Sequence, residues 1–125
     1  MSDLPEIDGA TALRLLREVV AERPDYVYVA PNGHLSTCKY VWQEQPSCVV
    51  AHVLIRAGYG VQDIAHLDVW GSFLFAAPHV PQIHVDEAAK VILDTAQSIQ
   101  DEQFEPWSTA LAAAEQKAHE IGVPA

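Results

Sequence analysis

Residues 48–57, CVVAHVLIRA, are apolar nearly all the way round a helix and leave no broad polar face for solvent. Val49, His52 and Val53 fall on one side, and Val50, Leu54 and Ile55 flank them. Such a helix is stable only when other elements cover more than one of its sides. It therefore predicts a central buried helix with the rest of the chain wrapped around it. Ser47, directly after Pro46, is placed to cap this helix, and Gly58 to stop it in the left-handed conformation. The chain has 125 residues, half of them hydrophobic. That is enough apolar material to enclose such a helix in a single domain, residues 1–125, without staples.

The remaining elements follow from periodicity and punctuation. Asp8 can cap a first helix whose apolar stripe is Ala10, Leu13, Leu16 and Val20, and Pro24 ends it. YVYVA (26–30) and TCKYVW (37–42) are rich in aromatic and β-branched residues, with Asn32-Gly33 between them. They predict a β-hairpin with a loop longer than two residues. QEQP (43–46) then turns the chain. GVQDIAHLD (60–68) reads as a short helix with Ile64 and Leu67 inward. Residues 69–85 are broken by Gly71, Pro78 and Pro81, and predict an irregular packed segment with a short strand at 72–76. Asp86 caps a long helix with Ala89, Ile92, Ala96 and Ile99 along one stripe. After the joint FEP, Pro106 suits the first turn of a last helix striped by Trp107, Leu111, Ala114, Ala118 and Ile121, with Gly122 at its end. The fold class expected is α+β: a β-hairpin packed on a mainly helical domain, with a central buried helix and a C-terminal αα-hairpin.

A net charge of −10 argues against binding to nucleic acid or to anionic membranes, because the phosphate term would be repulsive. From Asp86 onward eight acids face only Lys90 and Lys117. These charges are dispersed at helical spacing, as on a solvated face, and do not form blocks. No apolar run approaches the length of a membrane span, and the N-terminal residues lack the pattern of a signal peptide. The expected setting is cytoplasmic, with reduced thiols.

Both cysteines and two of the six histidines lie close together in sequence, as His34-x3-Cys38 and Cys48-x3-His52. One reading is a metal site made of His34, Cys38, Cys48 and His52. Cys48 and His52 would share a helix face, but His34 and Cys38 would have to be bent together from a strand. A second reading is nucleophilic catalysis. Cys48 in the first turn of a helix would have its thiol acidified, and His84 or His79 could act as base. Neither histidine sits on a convincing strand or has an evident orienting partner. The third reading is packing: both cysteines fill a buried corner between hairpin and helix, and His52 is a hydrogen-bonded core histidine.

Other motifs are weaker. LIRAGYGVQDIAHL has the look of a helix-turn-helix, but its second helix offers Gln62, Asp63 and His66 and no Lys or Arg for phosphate. No glycine-rich phosphate loop occurs, and no cofactor is implied.

Two segments carry a resemblance. CKYVWQEQPSCVVAHVLIRAGY (38–59) is similar to a pattern C-x-Y-V … P-S-C-[LIV]-V-x-H-V-L-x-R-x-G. AQSIQDEQFEPWSTALAAAE (96–115) is similar to A-Q-x-x-Q-D-x-G-x-x-W-x-x-A-L-x-x-A. Together they cover about a third of the chain. Both resemble small proteins of tailed phages that infect actinobacteria, of the mycobacteriophage type, for which no activity is established. Gln103-Phe104 and Ser108 stand where the pattern has glycines, so the turn is built differently here. The resemblance implies an accessory phage protein, not a virion part, and brings no catalytic residues with it.

Two functions are carried forward. The first is non-enzymatic binding of a host or phage protein, with a homodimer possible, through aromatic anchors among Trp70, Phe73, Phe75 and Trp107, with Trp42 also a candidate. An exposed apolar patch around 70–77 is the feature it requires. The second is a Cys48-dependent hydrolase or transferase, which requires Cys48 in an open cleft beside a histidine.

Overall fold

Asp8 and Asp86 each open a long helix. In the computed structural model, which describes residues 6–28, 40–70, 72–102 and 105–123 (the side chain of Glu102 excepted), these two aspartates lie beside each other. Strand β1 (Glu6–Ile7) pairs in parallel with β4 (His84–Val85), in the register Glu6 to His84 and Ile7 to Val85. The Asp86 N–H donates to the Ile7 carbonyl at 3.0 Å. This two-stranded ladder fixes the starts of helix α1 (Gly9–Glu22) and helix α5 (Glu87–Glu102). Asp8 Oδ1 accepts from the Thr11 N–H at 2.8 Å, and Asp86 Oδ1 accepts from the Ala89 N–H at 2.8 Å. Each aspartate thereby satisfies a donor that the helix leaves unpaired. Gly9 is needed at this junction: a Cβ there would lie 2.9 Å from both Ala88 Cβ and Val123 Cγ2.

Between them, β2 (Val41–Trp42) pairs antiparallel with β3 (Gln45–Pro46). Helix α2 (Val49–Ala57), helix α3 (Val61–Ala65) and a 3-10 turn (His66–Val69) follow. Helix α4 (Phe73–Ala76), a second 3-10 turn (Ala77–His79) and β4 lead into α5, and α6 (Trp107–Glu120) closes the chain. Among the described residues the fold is mainly helical, with two small two-stranded sheets.

One continuous core joins these elements. As its apolar surface requires, α2 buries Val49, Val50, Ala51, Val53 and Leu54, packing on α1 and α5, and Gly58 ends it at φ 115°. Its N-cap is Cys48, one residue later than Ser47. Helix α1 is buried more widely than its expected stripe. Ala12, Leu15 and Val19 join Leu13, Leu16 and Val20, while Ala10 stays exposed, because α2, α5 and α6 all contact it. Helices α5 and α6 share the most extensive contact in the fold. Ala89, Ile92 and Ala96 of α5 and Trp107, Ala114 and Ala118 of α6 are buried there, while Ile121 is exposed.

Three local expectations change. Residues 72–76 form helix, not strand: α4 begins at Phe73, where side chains of α5 accept its first N–H groups. QEQP is the tip of a short hairpin, with Gln43 at φ 54° and Glu44 at φ 64°. Tyr26 to Tyr28 carry no strand; Tyr26 turns back to the Arg23 carbonyl at 3.1 Å, and its own carbonyl accepts from the Trp107 N–H at 2.9 Å. The Asn32-Gly33 turn and most of both strands expected around it lie outside the described residues.

Candidate functional site

The core corner that holds Cys48 is assembled by one glutamine. Gln100 of α5 is fully buried, and its Oε1 accepts from the Val49 N–H at 2.9 Å and from Trp107 Nε1 at 2.9 Å. The first contact caps α2 from another helix, supplying the acceptor that a cysteine at the N-cap does not. His52, half-buried, meets the Trp107 ring edge-on at 5.4 Å, and Tyr26 meets it at 4.8 Å. Burial first, and then the positive charge of Arg23, hold the His52 pKa below the ordinary histidine value. The start of α2 and the α5–α6 pair thus meet at a single junction, through Val49 and His52 on one side and Gln100 and Trp107 on the other.

Cys48 itself has 0% exposure. A substrate could reach its sulfur only if the start of α2 opened. The two candidate bases lie elsewhere on exposed positions. His84 is on β4, where its backbone N–H donates to the Tyr59 hydroxyl at 2.7 Å; His79 is stacked on Trp70. Of the candidate metal ligands, His34 and Cys38 lie outside the described residues. Among the described residues no group of three His, Cys, Asp or Glu side chains is placed to hold a metal ion. A surface cleft of about 550 Å³ is lined by Val41, Glu44, Val61, Gln62 and Ala65, and one of about 190 Å³ by Val19, His52, Ile55 and Arg56. Neither lining includes Cys48, His79 or His84.

The four expected binding aromatics divide in two. Phe73 and Trp107 are buried and belong to the core. Trp70 and Phe75 are at the surface, and with them stand Val69, 79% exposed, and Leu74, 44% exposed. Phe75 is 58% exposed. Trp70, Phe75 and His79 form a ring cluster. The rings of Trp70 and His79 stack at 3.8 Å with 9° between their planes, and Phe75 lies 5.2 Å from His79 and 6.3 Å from Trp70. Single exposed apolar residues are ordinary on any surface, whereas a contiguous aromatic patch is not.

The patch is held from beneath by α5. Gln97, buried, accepts from the Phe73 N–H at 2.7 Å, and Asp94 Oδ1 accepts from the Leu74 N–H at 3.0 Å. A four-residue helix has little stability of its own, so these two acceptors and the burial of Phe73 and Ala76 set the angle at which Leu74 and Phe75 face outward. Asp68, in the 3-10 turn that leads to Val69, accepts from the N–H groups of Tyr40 at 2.6 Å and Val41 at 3.3 Å, which ties that turn to the start of β2. Sequence reasoning located Trp70 and Phe75 but missed His79 as their ring partner, and missed Asp68, Asp94 and Gln97 as supports. A polar residue that caps a distant helix leaves no periodic trace. The one available signal was two glutamines, 97 and 100, spaced for one face of an apolar helix.

No protein-family model matches the chain, and neither a curated protein nor a solved structure matches it. No helix among the described residues is long and apolar enough to cross a membrane.

Proposed function

We propose that this chain is a non-enzymatic accessory protein of an actinobacterial tailed phage, acting in the host cytoplasm by binding a protein. The single observation that carries the binding reading is the ring cluster of Trp70, Phe75 and His79, with exposed Val69 and Leu74 as sequence neighbours of its two surface aromatics. Rigid aromatic side chains cost little conformational entropy on docking, and residues of this type dominate binding energy at protein interfaces. The phage origin is supported by the two segment resemblances alone. Within those segments Val49, Gln100 and Trp107 meet in the core and hold α2 against α5 and α6.

Affinity capture from an actinobacterial host lysate tests the reading. Wild-type protein retains a host component that the Phe75→Ser variant releases, while both have the same circular dichroism spectrum. An identical set of captured proteins from both baits would defeat it. Thiol titration tests the alternative enzyme, built on Cys48 with His84 or His79. Buried Cys48 resists a thiol reagent at neutral pH until denaturant is added; rapid modification of Cys48 in the folded protein would restore the enzymatic reading.

A further inference from the structure

We infer that the larger of the two clefts, between the β2–β3 hairpin and α3, binds a small ligand with an apolar body and a cationic head, such as an amine or an amidine. This site is independent of the Trp70–Phe75–His79 patch and of the protein partner proposed for it. A cleft of about 550 Å³ has the size of a small-molecule site, and its lining has the matching composition. Val41, Val61 and Ala65 are half-buried and make the walls apolar, while Glu44 and Gln62 are exposed and stand at the rim. The two walls are tied to each other. Helix α3 contacts β2, and Asp68, in the turn that continues α3, accepts from the N–H groups of Tyr40 and Val41 at 2.6 and 3.3 Å. The space between the walls is therefore set by the fold before any ligand arrives.

The second ground is the placement of Glu44. It sits in the left-handed region at φ 64°, after Gln43 at φ 54°, where the backbone alone would favour glycine. Strain of this kind persists where the side chain has a use that offsets it. Here the side chain lines the cleft. The turn is the closed end of the hairpin; at the other end the Ser47 N–H donates to the Tyr40 carbonyl at 2.8 Å. Glu18, Glu22, Glu87, Glu115 and Glu120 are each paired with an Arg or Lys. Among the described residues, neither the Glu44 carboxylate nor the Gln62 amide has a hydrogen-bond or ion-pair partner. Gln62 lies back over the start of α3, with its Oε1 so near Gly60 that a Cβ there would meet it at 2.9 Å. A carboxylate accepts and cannot donate, and the Gln62 carbonyl adds a second acceptor, so the head that fits is a positively charged donor. A carboxylate or phosphate ligand would bring its own charge against Glu44 on a chain of net charge −10.

Titration of the full-length, nitrogen-labelled protein with benzamidine and with cyclohexylmethylamine, followed by amide NMR shifts, tests this. Benzamide and benzoate serve as the neutral and acidic counterparts. The expected result is saturable movement of the Val41, Glu44, Val61, Gln62 and Ala65 amides with the two cations at millimolar concentration, little with benzamide and none with benzoate. Glu44→Gln keeps an acceptor and removes the charge; it weakens cation binding about threefold to fivefold, and that difference shrinks at high salt. Ala65→Leu narrows the cleft without changing charge and abolishes the shifts. The double change Gln43→Asn with Glu44→Gly relaxes the turn yet weakens the cation at least as much as Glu44→Gln does, which separates a role in binding from a role in folding. Each variant is first checked for native circular dichroism, and Glu44→Gln, on an exposed turn, carries the test if Ala65→Leu does not fold. Shifts scattered over the surface, or indifferent to both Glu44→Gln and Ala65→Leu, would mark a general attraction of cations to an acidic protein and overturn the site. Benzamide moving the same amides as strongly as benzamidine overturns the cationic head. Absence of saturable movement at these residues overturns the cleft as a ligand site. Capture of a protein partner by the ring cluster is unaffected by any of these results, because Phe75→Ser tests it separately.

Discussion

Gln100 shows how a polar residue can be indispensable without being catalytic. Its one carbonyl oxygen serves two buried donors, the Val49 N–H at the start of α2 and the Trp107 indole N–H at the start of α6. Gln100→Ala leaves both donors unpaired in the core and destabilises the fold by about 2–4 kcal/mol, read as a shift in the urea midpoint at unchanged m-value. A loss below about half a kcal/mol would mean that the junction does not depend on this contact. His52, against the same indole, gives the corner a pH dependence. Its pKa is lowered in the fold, chiefly by burial, so the folded chain resists a proton that the unfolded chain accepts. Well above pH 6.5, the ordinary value the unfolded chain keeps, the imidazole is neutral in both states and contributes no slope. As pH falls below that value stability declines, and the decline stops once the depressed folded value is passed. Urea midpoints measured at neutral pH and in mild acid reveal this as a loss that is smaller in His52→Gln than in wild type. Equal losses in the two proteins would show that other groups carry the effect.

At the level of elements, the β2–β3 turn is the place where local preference and observed backbone disagree. A two-residue hairpin turn with positive φ at both central positions favours Asn-Gly, yet the chain has Gln43 and Glu44 at φ 54° and 64°. Left-handed backbone costs an ordinary L-residue about 1 kcal/mol or more. The double change Gln43→Asn with Glu44→Gly is therefore expected to raise stability by about 1 kcal/mol, measured by thermal or urea unfolding. No gain would mean that these side chains recover the cost through their own contacts. The same turn explains what the sequence could not disclose: without Asn or Gly at its tip, QEQP reads as a bend between elements and not as a hairpin. Helices α1, α2, α5 and α6 were legible because their apolar spacing and their Asp, Gly and Pro punctuation all agree. Residues 69–85 were not legible. Their order comes from Gln97 and Asp94 reaching across from α5 and from the pairing of β4 with β1, and each of these is a partnership distant in sequence. The candidate site was half legible for the same reason. Aromatic residues at 70, 73 and 75 announce themselves, but which of them faces water is decided by the helix that α5 caps.

For the whole molecule, charge decides what an exposed aromatic patch does in solution. At neutral pH the net charge of −10 opposes the approach of two copies, while Val69, Leu74 and Phe75 offer a surface that water solvates poorly. The pI of about 4.8 marks where that repulsion vanishes. Sedimentation velocity is therefore expected to show monomer at neutral pH and moderate ionic strength, with reversible association as pH approaches the pI. The acid-linked loss of stability at His52 runs in the same direction and must be separated from it. Native circular dichroism at each pH distinguishes the two, since association of folded molecules leaves the helical signal intact and unfolding does not. Phe75→Ser and Val69→Ser remove apolar surface without changing charge, so they should abolish association while leaving the pI in place. If these variants associate as readily as wild type, another surface holds the copies together and the patch loses its place as the adhesive face of the protein.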